Sequence, residues 1–412
     1  MASSRETKLR IAGSVLLAFG FVDAVLGRCM AEFRHTPATG PATDPCPDHT
    51  VLVGALHVHS TYSDGGGDIP TVMEAARTAG VDFVLLTDHN TQKPRRDGWE
   101  DRYPAPPFLL IGTEITVEEG AFLLALDMPP EWEPTKHRPP QETIDEVNRH
   151  GGLPLISLPF DVKHPWREWE VQGCVGLEVV NLSTVARRHI NIPSLLWLLP
   201  LYRRGGAPAA LRALLTRPDA ALERWDRLTG DGRPSVGIGA LDAHALMKIG
   251  KRKYPIPSYA DSLGVVTTHV LLPAGLGDHL PSLRAAIYDA LRRGRCYIAY
   301  DALGDPRPFR FFADNGTDVA EMGGRLTATN GPVTLIARSR PGTLLRLYHR
   351  GRAVAAGRES VSYRATTSGA YRVEVYRYAA RLGPIHIDTR PWVFSNPIYI
   401  DGLPETDAAP TA

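Results

Sequence analysis

Between residues 51 and 241 short apolar runs alternate with amphipathic or turn-rich stretches, and this pattern constrains the fold more than any other feature. Residues 51–58, 81–87, 108–113, 121–126, 153–158, 175–180 and 236–241 each read as a strand buried on both faces. Residues 69–79 carry helical spacing, with Val72, Ala75, Ala76 and Ala79 on one face. Residues 140–149 form a second helix, stopped by Gly151-Gly152. Residues 195–228 read as helices broken at Pro200 and at Gly205-Gly206, and 281–293 as a further helix. Such alternation predicts a mostly parallel sheet or a β/α barrel.

After Asp301 the character changes. Residues 309–312, 333–338, 344–349, 371–376 and 392–400 are short strands with turn residues between them, and nothing helical intervenes. That spacing predicts a small antiparallel β-sandwich from about 306 to 400, with a disordered tail over 401–412. At the other end, Lys8 and Arg10 precede an apolar stretch over 11–26, interrupted by Asp23. Its 16 residues fall short of a bilayer span, which takes roughly 20. A basic region before an apolar core fits a signal peptide or anchor. Leu26-Gly27-Arg28-Cys29 is similar to a lipoprotein cleavage site, apart from Arg28. The expected plan is an anchor-like segment over 1–33, a linker over 34–49, an α/β domain over 50–303, the sandwich over 304–402 and a tail over 403–412. The expected location is the cell envelope, with membrane association through the N-terminus; a cytoplasmic location is the alternative.

Lys and Arg number 46 against 45 Asp and Glu, for a net charge of +1, which argues against a generally basic nucleic-acid binder. The four cysteines (Cys29, Cys46, Cys174 and Cys296) form no C-x-x-C pair, so neither a zinc knuckle nor a redox motif is present. Against them stand 14 histidines, so a metal site here would use nitrogen and oxygen.

His57-x-His59 closes the first predicted strand, where side chains two apart share a face and both imidazoles can reach one ion. Asp64 follows in a Ser-Asp-Gly turn. Thr87-Asp88-His89-Asn90 ends the second strand, Glu114 follows the third, and Asp242-Ala243-His244 follows 236–241. Any one of these alone fits a core or chance histidine. Together they place His, Asp or Glu at the C-terminal edges of four strands, where β/α barrels build their sites. Such mixed ligands suit Zn, Mn or Fe.

In this order, GALHVHSTYSDGGG, AARTAGVDFVLLTDHN, GTEIT and GALDAHA resemble the PHP (polymerase and histidinol phosphatase) superfamily over residues 51–300. GRCYIAYD (294–301) and RPWVFSNPIYI (390–400) resemble its carbaryl-hydrolase-like branch. The resemblance implies a distorted, seven-stranded PHP-type β/α barrel, followed here by the β-sandwich. It also implies hydrolysis by metal-activated water. The substrate would be a small molecule, foremost a phosphoester, with a carboxylester or carbamate as alternative. By the same resemblance, His57, His59, Glu114 and Asp242 would hold one metal, and Asp64, His89 and His244 another. The family's histidines for a further metal are replaced by Ala121 and Leu158, so one or two ions are expected, not three. His164 is a candidate substitute. Glu114, Asp242 and Asp88 would be catalytic, with Asp88 orienting a ligand histidine.

Other candidates are less specific. Asn181 could face the pocket and Glu178 could be structural. Arg292, Arg293 and Arg295 could bind an anionic substrate, or could simply be a cationic helix end. Lys251-Arg252-Lys253 reads as a solvated loop, and Trp225 and Trp392 as packing residues. The lost histidines and the appended β-region also fit a degenerate, non-catalytic binding module.

Overall fold

The structure is a computed structural model, and it describes residues 49–189, 192–230, 233–249, 252–276, 279–328, 331–382 and 385–404. The expected N-terminal anchor and almost all of the linker lie outside these residues. Among the described residues no helix is long and apolar enough to cross a membrane.

Strands β1 (His49–Val58), β2 (Phe83–Leu86) and β3 (Phe108–Ile111) pair in parallel. Helix α1 (Ile69–Ala79) makes the crossover from β1 to β2. Asp68 caps its first turn through the Thr71 amide, Gly80 closes it at φ 71°, and Ile69, Val72, Met73 and Ala76 are buried. The expected strand over 108–113 is broken at Gly112, where a Cβ would lie 2.6 Å from Leu126 Cδ2. The chain leaves the first sheet there. Strand β4 (Thr113–Thr116) starts a second sheet with β5 (Phe122–Leu126), β6 (Leu153–Ser157), β7 (Gly176–Asn181) and β8 (Val236–Ala240), in that order. Helix α2 (Pro140–Arg149) precedes β6. Between β7 and β8 lie α3 (Leu182–His189), α4 (Ile192–Leu214) and α5 (Asp219–Gly230). Helix α3 was not expected, and α4 runs through Pro200 and kinks only at Gly205-Gly206.

A hairpin, β9 (Met247–Ile249) with β10 (Arg252–Tyr254), occupies the expected solvated loop. Strand β11 (Thr267–Pro273) then pairs antiparallel with β1, and β12 (Cys296–Ala299), after helix α6 (Leu280–Arg293), pairs antiparallel with β11.

These strands do not close into the expected seven-stranded barrel. They form two sheets that meet through a few bonds. Leu241 N donates to Leu56 O (3.0 Å), Ala243 N to His57 O (3.2 Å) and His59 N to Ala243 O (3.0 Å). On the other side Asn90 N donates to Glu114 O (2.9 Å). Left-handed backbone at His57 (φ 64°) and Asp242 (φ 52°) interrupts continuous pairing at this junction.

The later strands also differ from a separate sandwich. Strands β13 (Arg310–Asp314), β14 (Val319–Glu321), β16 (Thr334–Arg338) and β19 (Ser360–Arg364) form a four-stranded antiparallel sheet. The others are β15 (Arg325–Thr327), β17 (Thr343–His349), β18 (Arg352–Arg358), β20 (Gly369–Leu382), β21 (Ile385–Ser395) and β22 (Ile398–Asp401). They extend the first sheet to eleven strands, because β12 pairs with β21 from Tyr297↔Ser395 to Ala299↔Val393. The expected strand over 392–400 breaks at Asn396, whose amide bonds the Gly237 and Cys296 carbonyls instead of continuing the ladder. The start of the expected disordered tail is fastened: Asp401 accepts from Arg325 (2.7 Å), and Ser368 N donates to Pro404 O (2.9 Å). Residues 405–412 lie outside the described residues.

Trp225 and Trp392 are packing residues, 1% and 2% exposed. Beside Trp225, Glu374 on β20 accepts from Arg217 (2.8 and 2.6 Å), Arg372 (2.6 Å) and Tyr376 (2.5 Å), while Arg372 also holds Asp226 of α5. The arginines pull the buried Glu374 carboxyl down to about 2 against the upward push of burial. Replacing Glu374 by Ala takes one carboxylate from each of two arginines, leaving the buried Arg372 with Asp226 and Arg217 with Asp219. We expect a loss of about 1–3 kcal/mol in chemical denaturation, with secondary structure retained below the transition.

Candidate metal centre

The two imidazoles of the H-x-H pair converge, but not by the regular pleat of a strand. His57 sits at a register shift between Leu56 and Val58 in left-handed backbone, and His59 lies just beyond β1. Their Nε2 atoms come within 3.0 Å, and both side chains are fully buried. Glu114 lies within β4 and not after a strand, and its Oε2 stands 3.2 Å from His57 Nε2 and 3.4 Å from His59 Nε2. Asp242, just past β8, places Oδ1 at 3.6 and 3.3 Å from the same nitrogens. His57, His59, Glu114 and Asp242 thus offer ligand atoms all within 4.8 Å of one another.

A second group adjoins the first and is open to solvent. His59, Asp64, His89 and His244 also offer atoms within 4.8 Å. Asp64 Oδ1 lies 3.0 Å from His244 Nε2, 3.6 Å from His89 Nε2 and 3.9 Å from His59 Nδ1, with its side chain 55% exposed. His59 therefore belongs to both groups, which the motifs did not suggest. A neutral imidazole has one lone pair, so His59 serves one ion at a time. The turn that carries Asp64 depends on glycine: a Cβ at Gly65 would lie 2.5 Å from His59 O, and one at Gly66 2.7 Å from Ala245 O.

Among the described residues Asp88 makes no direct hydrogen bond to a ligand histidine, but Ser63 Oγ lies between its carboxylate (2.5 Å) and His59 Nδ1 (3.5 Å). Its carboxylate accepts from Ser60 N (2.8 Å), Ser60 Oγ (2.7 Å) and Ser63 Oγ (2.5 Å), and so holds the loop leading to Asp64. The residue that orients His57 is Glu178, whose Oε1 meets Nδ1 at 2.6 Å. Its Oε2 accepts from Leu158 N (2.8 Å) and from Asn181 Nδ2 (2.9 Å). Asn181 is 5% exposed; its Nδ2 serves Glu178, its Oδ1 caps α3 through Thr184 N, and with Glu178 and Thr184 it lines a cavity beside the centre.

Ala121 and Leu158 are buried and apolar, and His164 joins neither group among the described residues. Its ring packs edge-on to Phe122, and its Nδ1 fills the space over Gly120. Instead, Ser157 Oγ donates to Glu114 Oε1 (2.8 Å), and Arg187 Nη2 donates to Asp242 Oδ2 (3.1 Å). Arg187 was missed because nothing in its local sequence marks it; only the start of α3 at Asn181 carries it to Asp242. Arg292 and Arg295 stand elsewhere. Arg292 donates to Gly151 O (2.7 Å), before the start of β6, whereas the centre lies past its end. Arg295 pairs with Asp289, as Arg293 does.

The charges suit cation binding. Burial would push the Glu114 carboxyl up, but His57, His59 and His89 hold it below its ordinary value. Asp242 and Asp64 are held low in the same way, against burial, by hydrogen bonds from His59 and His244 and by the surrounding histidines. His57 is raised despite burial, because Glu114 and Glu178 flank it. Burial lowers His59. Burial also opposes charging of His244, but Asp64 and Asp242 lift it to about 9. Two buried atoms at the centre, Glu114 Oε2 and His89 Nδ1, lie 3.2 Å apart without forming a well-aligned hydrogen bond. Glu114 Oε2 meets nitrogens of His57, His59 and His89 at 3.2 to 3.4 Å, a crowding of ligand atoms that a coordinated cation would relieve. The residues fit a divalent metal.

No family model matches the chain. An uncharacterized protein of Methanocaldococcus jannaschii is 30% identical over 122 residues, 26% of this chain; the chain spans 66% of that relative, just under two thirds. Among solved structures, the chain is similar to a two-domain protein of Bacteroides vulgatus containing a predicted PHP-like metal-dependent phosphoesterase. That pair shares 17% identity over 88% of this chain and all of the other, at a TM-score of 0.38. It is also similar to an amidohydrolase of Chromobacterium violaceum (15% identity, 46% and 87% covered, TM-score 0.30) and to PsfC of Pseudomonas syringae (11%, 61% and 93%, 0.40). None of these three structures is described as a carbaryl hydrolase. The chemistry of the centre rests on its side chains and not on these partial overlaps.

Metal must displace protons from this centre, since His244 is protonated below about 9. Metal affinity should therefore rise as pH goes from 6 to 9, with at least one proton released per ion near neutrality, measurable by calorimetry in buffers of different ionisation enthalpy. Glu178→Gln should weaken metal binding by about 10–100-fold while leaving the ligand set in place, measurable by competition with a chelating dye.

Proposed function

We propose that this chain is a PHP-type metal-dependent hydrolase acting on phosphate esters. The observation that carries the reading is the convergence of two histidine and carboxylate groups, each with ligand atoms within 4.8 Å of one another, around the buried Glu114. His57, His59, Glu114 and Asp242 would hold one ion, and Asp64, His89 and His244 a second. The shared His59 supports one or two ions and not three. Nitrogen and oxygen ligands suit Mn, Zn or Fe. A divalent ion supplies water acidified from a pKa of 15.7 towards about 7 and draws charge off a phosphoryl oxygen.

The chain's own residues set the stage for that chemistry. Glu178 fixes the His57 tautomer, so that Nε2 keeps its lone pair for the ion. Asp88 holds the Ser60–Asp64 loop closed over His59, and Tyr259 Oη donates to His59 O (2.7 Å) from the other side. The first group is fully buried while Asp64, His89 and His244 face solvent, so substrate would enter over the second group. Hydrolysis adds water's hydroxyl to phosphorus, and the proton leaves with the departing alcohol.

Elemental analysis of purified protein, followed by assay of the Mn-loaded full chain on p-nitrophenyl phosphate, tests the reading. Bound metal with turnover is expected, and both should fall to near background in His57→Ala and Asp242→Ala. Hydrolysis that persists after complete metal removal would overturn it. Turnover of p-nitrophenyl acetate alone would move the assignment to carboxylesters. Absence of metal after Mn or Zn loading would leave a non-catalytic binding module.

A further inference from the structure

We infer that Arg187 anchors the substrate of this centre, and that it selects a ligand bearing a tetrahedral oxyanion, a phosphoryl group, over a neutral ester. The inference rests on the phosphate-ester reading above and adds the residue that would recognise the phosphoryl group. Arg187 lies on α3, whose start is fixed by the Asn181 cap. Its Nη1 meets Asp161 Oδ1 at 2.7 Å and its Nη2 meets Asp242 Oδ2 at 3.1 Å. Asp161 is itself held by the amides of Lys163 (2.9 Å) and His164 (3.2 Å), so the guanidinium is held in one orientation.

A simple ion pair would not leave the group in this state. The two carboxylates are 2% and 3% exposed, but the Arg187 side chain is 44% exposed. A guanidinium has five N–H donors. Two are used here, which leaves three without a hydrogen bond among the described residues. Asp242 faces the His57 and His59 nitrogens with Oδ1 and Arg187 with Oδ2, so one carboxylate separates the metal-binding atoms from the free donors. Around this point stand Glu114, Glu178, Asp161, Asp242 and Asp64, a carboxylate set that would repel a phosphate dianion. Arg187 is the fixed cation set against them. Its planar fork matches two phosphoryl oxygens, which a neutral carboxylester cannot present.

The test measures inorganic phosphate binding to the Mn-loaded full chain by calorimetry, alongside metal content and p-nitrophenyl phosphate kinetics, for wild type, Arg187→Gln and Arg187→Lys. Wild-type metal content is expected in both variants. Phosphate should bind about tenfold or more weakly in Arg187→Gln, with KM raised more than kcat is lowered, and Arg187→Lys should recover only part of the loss. Unchanged phosphate affinity with metal retained overturns the inference and leaves the hydrolase reading intact. Loss of metal in Arg187→Gln also overturns it, because Arg187 would then only brace Asp242. A wild-type chain that takes up no metal overturns both readings.

Discussion

Glu114 has no solvent exposure, yet it stays charged at the junction of two sheets, and much of the surrounding structure follows from that. An isolated carboxylate in such a place would cost many kcal/mol or take up a proton. Three histidines prevent this, and each needs support of its own. His57 is flanked by Glu178, Glu178 by the Leu158 amide and Asn181, and Asn181 by the first turn of α3. A single buried charge thus extends, bond by bond, to a helix that has no ligand in it.

The same junction explains why the barrel stays open. Continuous pairing between β1 and β8 would point the side chains at their ends alternately inward and outward. Left-handed backbone at His57, Leu158 and Asp242 breaks that alternation and turns ligand and supporting groups towards one point. Non-glycine residues adopt such backbone at a cost, and it persists where the surroundings enforce it. Gly112 makes the matching break on the other side, where β3 gives way to β4. The later strands add bulk without touching the centre: β21 pairs with β12, and the Glu374–Arg217–Arg372 network ties β20 to the helices between β7 and β8.

Much of the centre is legible in the sequence because its residues sit at the ends of apolar runs. In the sequence His57, His59, His89, Glu114, Asp242 and His244 each follow or end an apolar run that reads as a strand, although Glu114 lies within β4, and strand ends of one sense gather at one edge. Residues that act through others are not legible in this way. Glu178 looks like an interruption in a strand and Arg187 like an ordinary helix charge, while Asp88, read as orienting a ligand histidine, is bonded directly to Ser60 and Ser63 of the loop before Asp64. Arg292 and Arg295 look like anion binders because local sequence does not say at which end of the strands they lie.

By itself the sequence determined the alternation of strand and helix, the edge at which a centre would form and the residue types in it, because periodicity and short spacing are local properties. Only the tertiary structure decided that the strands would split into two sheets, that the C-terminal strands would extend the first of them, and that His59 would be shared between two ligand groups. It also decided that Arg187 would meet Asp242 across 55 positions of chain. The physical reason is that buried charges choose partners by proximity in space, and the search for compensation extends beyond any local pattern.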